Sequence, residues 1–247
     1  MMITPLTVQV FAGGEGARWI RRTRLDLPEH RHELMIGLQT IISRTAAMLF
    51  ERGMMKTVFF GPLHYSGLVA PFPVLNNTAG MPLLEAMRNL ALRGTERSVF
   101  LLGDVVFSNR MMNLILDHAV DEVRFAGRQG PNLITGKHSG ELFGVSVPAR
   151  FYDELDQHCA WMTARGQPRL YPPKLWALAR MFVGVEHQDS HPYLPNVGFG
   201  APDWTDDVDN AEEYASYFRA LSDCAIGDDA AQVVPDPVRL AASEDTF

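Results

Sequence analysis

Ser98-Val99-Phe100-Leu101-Leu102 is apolar on both faces of an extended chain. A strand alternates its side chains between two faces, so this segment demands cover above and below. That places it in the middle of a sheet, between two layers of helices. Around it, short β-rich runs alternate with stretches of helical period, as a helix-covered sheet requires. The expected fold class is α/β: a three-layer α/β/α sandwich on a mostly parallel central sheet. The strand runs straight into Gly103-Asp104, which sets a carboxylate at its end.

Other elements follow from the same periodicities. Thr7-Val8-Gln9-Val10-Phe11 reads as a first strand and Thr57-Val58-Phe59-Phe60 as a second. Residues 39–52 form an amphipathic helix with Ile41, Ile42, Thr45, Met48 and Leu49 on one face and Gly53 as its stop. Residues 63–80, rich in Pro, Gly and Asn, read as irregular, and residues 83–93 as a helix. Ser108 is placed to cap a helix carrying Met111, Met112, Ile115 and Leu116. Residues 123–126 and 142–147 are further strands. Helical patterns occupy about 149–164, 173–182 and 210–221, the last with Tyr214, Tyr217, Phe218 and Leu221 on one face. Asn210 and Glu213 have the spacing of a capping box. One domain is expected over residues 1–225, followed by an acidic, loosely held tail, 226–247.

Composition removes several function classes. Lys plus Arg (22) against Asp plus Glu (29) leaves −7, which disfavours sequence-independent binding to nucleic acid. No apolar run approaches the ~18 residues of a spanning helix. The first residues lack the basic region of a secretory signal. Two cysteines, Cys159 and Cys224, support neither a disulfide framework nor a four-cysteine zinc site. The expectation is a cytoplasmic protein with no membrane or nucleic-acid partner.

Gly13-Gly14-Glu15-Gly16-Ala17-Arg18 follows the first strand directly. Glycines there let the backbone turn sharply and expose N–H groups to a phosphate, and Arg18 adds a forked donor. The same residues also suit a tight turn without a ligand. The dinucleotide fingerprint fails because Trp19 stands where glycine is required. Walker A fails too, Gly136-Lys137-His138 being the nearest approach. Asp104 ends the central strand, where ligands of open α/β sheets gather; it is either a carboxylate for a hard cation or a turn residue. Asp206-Asp207-Val208-Asp209 precedes the last helix and holds more charge than a helix dipole needs. Asp209, next to the cap, has a firmly held backbone, so Asp104 and Asp209 are the first choice for a metal. Glu186-His187-Gln188-Asp189-Ser190-His191 reads as a solvated loop, and Cys159 as core rather than nucleophile. No Gly-x-Ser-x-Gly elbow occurs.

Taken in order, four segments resemble the nucleotidyltransferase superfamily of Rossmann-like, glycosyltransferase-A-like fold, which includes sugar-phosphate, sugar-acid and molybdopterin nucleotidyltransferases. Residues 11–18 look like its nucleotide loop and Ile41-Ile42-Ser43-Arg44-Thr45 like the start of its first long helix. Leu101-Leu102-Gly103-Asp104-Val105-Val106 resembles the strand bearing its metal aspartate, and residues 207–214 its closing acidic pattern. The resemblance spans about residues 7–221.

It implies magnesium-dependent transfer of a nucleotidyl group from an NTP to a phosphorylated or sugar-like acceptor, with pyrophosphate released. Ala12, Gly13, Gly14, Gly16 and Arg18 would hold the triphosphate. Asn77, Thr78 and Gly80 fall where members contact the base, and Thr135, Gly136 and Glu141 where the acceptor docks. Asp104 and Asp209 would hold Mg2+; with Arg18 they make the catalytic set. A homodimer is implied by resemblance alone. One departure matters: the family places Pro-Lys after the glycine loop, and here Pro28 is followed by Glu29-His30-Arg31-His32. Either Arg31 or a histidine takes the lysine's part, or phosphate charge is neutralised elsewhere, or activity is weak. Sugar transfer from a nucleotide sugar and a non-catalytic sensing module are the rival readings.

Overall fold

Strand β1 (Leu6–Phe11) lies parallel to β6 (Arg97–Leu102), with Val8 opposite Val99 and Phe11 opposite Leu102. The computed structural model describes residues 6–13, 28, 30–76, 83–90, 92, 96–116, 121–128, 130–138, 140–164, 175–184, 198–200 and 203–221. On the far side of β1 come β4 (Thr57–Gly61) and β5 (Val74–Asn76), both parallel to it. Beyond β6 come β9 (Glu141–Pro148), β8 (Arg124–Arg128) and β10 (Gly198–Gly200). In this seven-stranded sheet β9 alone runs against its neighbours. The α/β class with a mostly parallel sheet is therefore observed, and β6 is its middle strand.

Chain order decides where a ligand can enter. The strands step outward from β1 through β4 to β5, then the chain returns to β6 on the opposite side of β1. The order reverses between β1 and β6, and at such a reversal the connections that leave the two carboxyl ends run to opposite sides and leave a crevice outside them. The residues at those two ends are Ala12-Gly13 and Gly103-Asp104.

Alternation along the strands builds two cores. Val8, Val10, Phe59, Val99 and Leu101 face α1 (Ile41–Glu51) and α3 (Asn109–Leu116). Phe11, Phe60 and Phe100 face the other way, and Phe11 stacks on Phe60 at 5.0 Å between ring centres. The second core is closed by α2 (Leu83–Leu90), α4 (Tyr152–Ala164) and α5 (Leu175–Phe182). Cys159 is buried there, as expected of a core thiol. A third, smaller core gathers Leu34, Ile36, Val106, Trp204, Val208 and Tyr217. It lies beneath a hairpin of β2 (Met35–Ile36) and β3 (Gln39–Thr40) and against α6 (Ala211–Leu221).

Several boundaries differ from the periodicity reading, each for a local reason. Gln39 and Thr40 belong to β3, and the helix starts at Ile41 because the Thr40 hydroxyl caps it, accepting from Ser43 N–H at 3.1 Å. Residues 63–80 are not wholly irregular. They include a 3-10 turn, Leu63–Gly67, and the edge strand β5, whose half-exposed residues carry no alternation to read. Ala149–Phe151 is a 3-10 turn ahead of α4. Ser108 does cap α3, accepting from Met111 N–H at 2.9 Å. Asn210 caps α6 by accepting from Glu212 and Glu213 N–H, both at 3.0 Å. The return contact of that box goes one residue upstream, from Asp209 N–H to the Glu213 carboxylate at 2.7 Å. The tail, 226–247, lies outside the described residues, and no described helix is long and apolar enough to cross a membrane.

The β1 and β6 ends approach so closely that Gly103 has no room for a side chain. A Cβ there would lie 2.7 Å from Ala12 Cβ and 2.9 Å from Phe11 O, neither of which can swing away. Gly103→Ala is expected to cost about 1–3 kcal/mol through overpacking, read in a thermal melt as roughly 2–4 °C per kcal/mol. An unchanged melt would show that the strand ends separate freely.

Candidate active site

Beyond Asp104 the chain forms β7 (Val105–Val106), which pairs antiparallel with β11 (Asp206–Asp207). Val105 lies opposite Asp207 and Val106 opposite Asp206. This short ladder carries the acidic segment 206–209 across the chain to the end of β6. A 3-10 turn, Arg31–Glu33, enters the same place, fixed by the burial of His32 and Leu34 in the protein interior.

Arg31 is the cation at which the two predicted metal aspartates meet. Its Nη2 donates to Asp104 Oδ2 at 2.5 Å and its Nη1 to Asp209 Oδ1 at 2.9 Å. Nη1 also donates to the Val208 carbonyl at 3.3 Å and lies 3.6 Å from Asp207 Oδ2. Burial pulls the Arg31 pKa down, but Asp104, Asp207 and Asp209 outweigh it and hold the group above its ordinary value.

Lys137 forms a second centre beside the first. Its Nζ lies 3.2 Å from Glu141, 3.3 Å from Asp207, 3.4 Å from Asp209 and 3.8 Å from Asp206. Carboxylate oxygens of Glu141, Asp206 and Asp207 all lie within 4.8 Å of one another, a spacing that suits a cation. The lysine ammonium already answers that demand. Burial, then Asp207, pushes the Glu141 carboxyl up to about 8 against the pull of Lys137.

Both centres hang on a fully buried pair, Arg128 and Asp206, at 3.0 Å. Arg128 also donates to the carbonyls of Thr205 at 3.2 Å, Lys137 at 3.0 Å, and Gly130. Asn132 donates to Trp204 O at 2.9 Å, to the Tyr217 hydroxyl at 2.8 Å and to Asp206 at 3.3 Å. Together they lock the β8–β9 connection to β11. Among the described residues of the site, five carboxylates (Asp104, Glu141, Asp206, Asp207, Asp209) face three cations (Arg31, Arg128, Lys137).

The predicted site residues fall into three groups. Asp104 and Asp209 are brought together, and Ala12 and Gly13 end β1 next to Gly103, whose N–H donates to Phe11 O at 2.8 Å. Thr135, Gly136 and Glu141 lie at the β8–β9 connection. Gly136 is left-handed at φ +70°, and the Thr135 N–H and hydroxyl are engaged within the turn. Gly14, Gly16, Arg18, Asn77, Thr78 and Gly80 lie outside the described residues, as does the loop 186–191. Sequence reasoning missed Lys137 and the Arg128–Asp206 pair. Lys137 and Glu141 are four apart at the foot of an apolar strand, a weak local signal. Arg128 and Asp206 are 78 residues apart, and nothing local joins them.

The sequence matches no protein-family model and no curated protein. Solved structures do share the fold. A nucleotidyl transferase from Methanothermobacter thermautotrophicus superimposes with a TM-score of 0.53 at 20 % identity, over 88 % of this chain and 96 % of its own. A CTP:phosphocholine cytidylyltransferase from Streptococcus pneumoniae gives 0.53 at 14 %, over 87 % and 98 %. An inositol-1-phosphate CTP transferase from T. maritima gives 0.51 at 11 %, over 87 % and 95 %. The chain thus has the nucleotidyltransferase fold that its motifs resemble.

The turn that delivers Arg31 carries a pH dependence. Burial holds His32 down at about 4, outweighing the upward pull of Asp104. The unfolded chain takes up the proton near pH 6.5 while the folded chain refuses it. Stability is therefore lost as pH falls from about 6.5 towards 4. His32→Gln should flatten the urea midpoint between pH 7 and 4.5, by up to one proton's slope, ~1.4 kcal/mol per pH unit. Parallel slopes for the two proteins would remove His32 as the cause.

Proposed function

We propose that this chain is a nucleotidyltransferase that moves an NMP group from an NTP to a phosphorylated or sugar-like acceptor and releases pyrophosphate. The observation carrying this reading is the meeting of Asp104 and Asp209 at the β1/β6 crevice, beside the Ala12-Gly13 strand end.

Two carboxylates from separate elements converge there on one cationic group. That is a donor set a hard divalent ion takes, and the guanidinium of Arg31 stands where such an ion would be held. Asp104 and Asp209 would hold Mg2+, which supplies charge neutralisation on the phosphates when bound. The charge balance supports this. At the mouth of the site Asp104, Asp207 and Asp209 outnumber Arg31 and Lys137, so a bare triphosphate meets net repulsion, and a divalent ion removes it.

The remaining work is positioning. An acceptor oxygen attacks the α-phosphorus, a new P–O bond forms, and the bond to the leaving pyrophosphate breaks. Gly13, ending β1, would turn backbone N–H groups towards the phosphates, with Arg18 as an added donor. Thr135, Gly136 and Glu141 would face the acceptor, with Lys137 among them as a cation for an acidic group. Asn77, Thr78 and Gly80 are assigned to the base. Catalysis of this kind rests on orientation and preorganised charge, not on a covalent intermediate.

Titrating the protein with each common NTP, with and without Mg2+, tests this in a thermal melt. A ligand at a hundredfold excess over its Kd adds ~2.7 kcal/mol, on the order of 5–10 °C here. One NTP is expected to shift the melt with Mg2+, and Asp104→Asn should abolish the shift and lower pyrophosphate release about a hundredfold or more. A fully active Asp104→Asn protein would overturn the metal assignment. A shift with a nucleotide sugar alone, without pyrophosphate, would point instead to sugar transfer. Binding without turnover would point to a sensing module.

A further inference from the structure

Three cations serve the acidic centre, and their burial sets them apart. Arg128 is fully buried against an equally buried Asp206. Lys137 is shared among four carboxylates and has a side chain 20 % exposed. Arg31 has a side chain 23 % exposed, reaches the centre from a three-residue turn and bridges Asp104 to the more open Asp209, 39 % exposed. Among the described residues, all its side-chain hydrogen bonds end on Asp104, Val208 and Asp209. Of the three it has the most exposed side chain.

A guanidinium and a divalent ion cannot share that gap. A hard ion such as Mg2+ needs carboxylate oxygens at about 2.1 Å. Nη1 and Nη2 already hold one oxygen each of Asp209 and Asp104, at 2.9 and 2.5 Å. Were an ion to bind while Arg31 stayed nearby, like charges would face each other across a few ångströms. Arg31 must therefore withdraw, and withdrawal into water gives up two charge-assisted hydrogen bonds. A polyphosphate offers replacements, because a planar guanidinium pairs with phosphate oxygens as well as with carboxylates.

We infer that Arg31 is a resident counter-cation which occupies the place of the divalent ion between Asp104 and Asp209 and is handed over to the phosphates when a metal–polyphosphate complex enters. The inference deepens the proposed function and rests on its assignment of Asp104 and Asp209 as metal ligands. It makes metal and polyphosphate mutually dependent: each binds weakly alone, and each removes the obstacle to the other. It also gives Arg31 two opposite effects, hindering the bare ion and helping the complex.

That opposition is the test. Binding of Mn2+ alone is followed by the loss of the free-ion electron paramagnetic resonance signal. Binding of a preformed Mn2+–tripolyphosphate complex is followed by calorimetry. Arg31→Gln is expected to bind Mn2+ alone about tenfold more tightly than the wild type and the complex about tenfold more weakly. The gain for Mn2+ alone should vanish when Asp104→Asn is added. Arg31→Met, which keeps the apolar stem, serves as the second variant, and circular dichroism verifies the fold of each. Unchanged Mn2+ affinity in a folded Arg31 variant overturns the counter-cation role, and unchanged affinity for the complex overturns the handover. Neither probe contains a base or an acceptor, so both effects can hold while no NTP turns over. That outcome would sink the proposed function and leave this inference standing.

Discussion

The ion pair of Arg128 and Asp206 is the constraint from which the rest of the site takes its geometry. Both side chains are wholly buried, so neither can find a replacement in water. Removing one member would strand a charge in the interior, a far larger penalty than the pair's net worth. Arg128 spends its other donors on the carbonyls of Gly130, Lys137 and Thr205, and Asn132 adds Trp204 and Tyr217 to the same cluster. One arginine therefore sets the path of the β8–β9 connection and of β11 together. Lys137 inherits its position from the first, Asp207 and Asp209 theirs from the second.

A sheet of this kind supplies the crevice, and the small ladder between β7 and β11 supplies its acidic wall. Asp104 reaches the crevice because Gly103 lets β6 end hard against Ala12. Asp209 reaches it because Glu213 and Asn210 hold the entry to α6. The β7–β11 ladder sets the two segments side by side, and the meeting of their carboxylates at Arg31 is completed by a strand end, a helix cap and a 3-10 turn. Convergence of this sort is hard to attribute to surface chance, since exposed ion pairs alone carry little stability.

Much of this was legible in the sequence, where the physics was local. The double-faced apolar run 98–102 identified the middle strand, Ser108 its following cap, and Asp104 and Asp209 the pair that converges. What escaped was non-local or lacked contrast. The edge strand β5 buries too little to alternate, with only Val74 half-buried and Leu75 and Asn76 exposed. Gln39 and Thr40 extend the helical period yet pair with Met35 and Ile36. Lys137 looked like a failed Walker A lysine, because three of its four acidic neighbours come from the distant segment 206–209. Of the residues offered for the place of the missing lysine, Arg31 reaches Asp104 and Asp209, while His32 turns into the core, where burial holds its imidazole down at about 4.

That division has a structural logic. In a 3-10 turn successive side chains are about a third of a turn apart, so Arg31 and His32 point in different directions. The burial of His32, with the Tyr65 hydroxyl 3.4 Å from its Nδ1, anchors the turn, and the long arm of Arg31 is left to choose its partner. A lysine at that position could neutralise one carboxylate as a point charge. The guanidinium, with two parallel donors, bridges two carboxylates or two phosphate oxygens with one geometry. Glu29 stands directly after Pro28, where the family pattern has its lysine, and Arg31, two residues further on, bridges Asp104 and Asp209 with a planar geometry that a lysine's point charge does not supply.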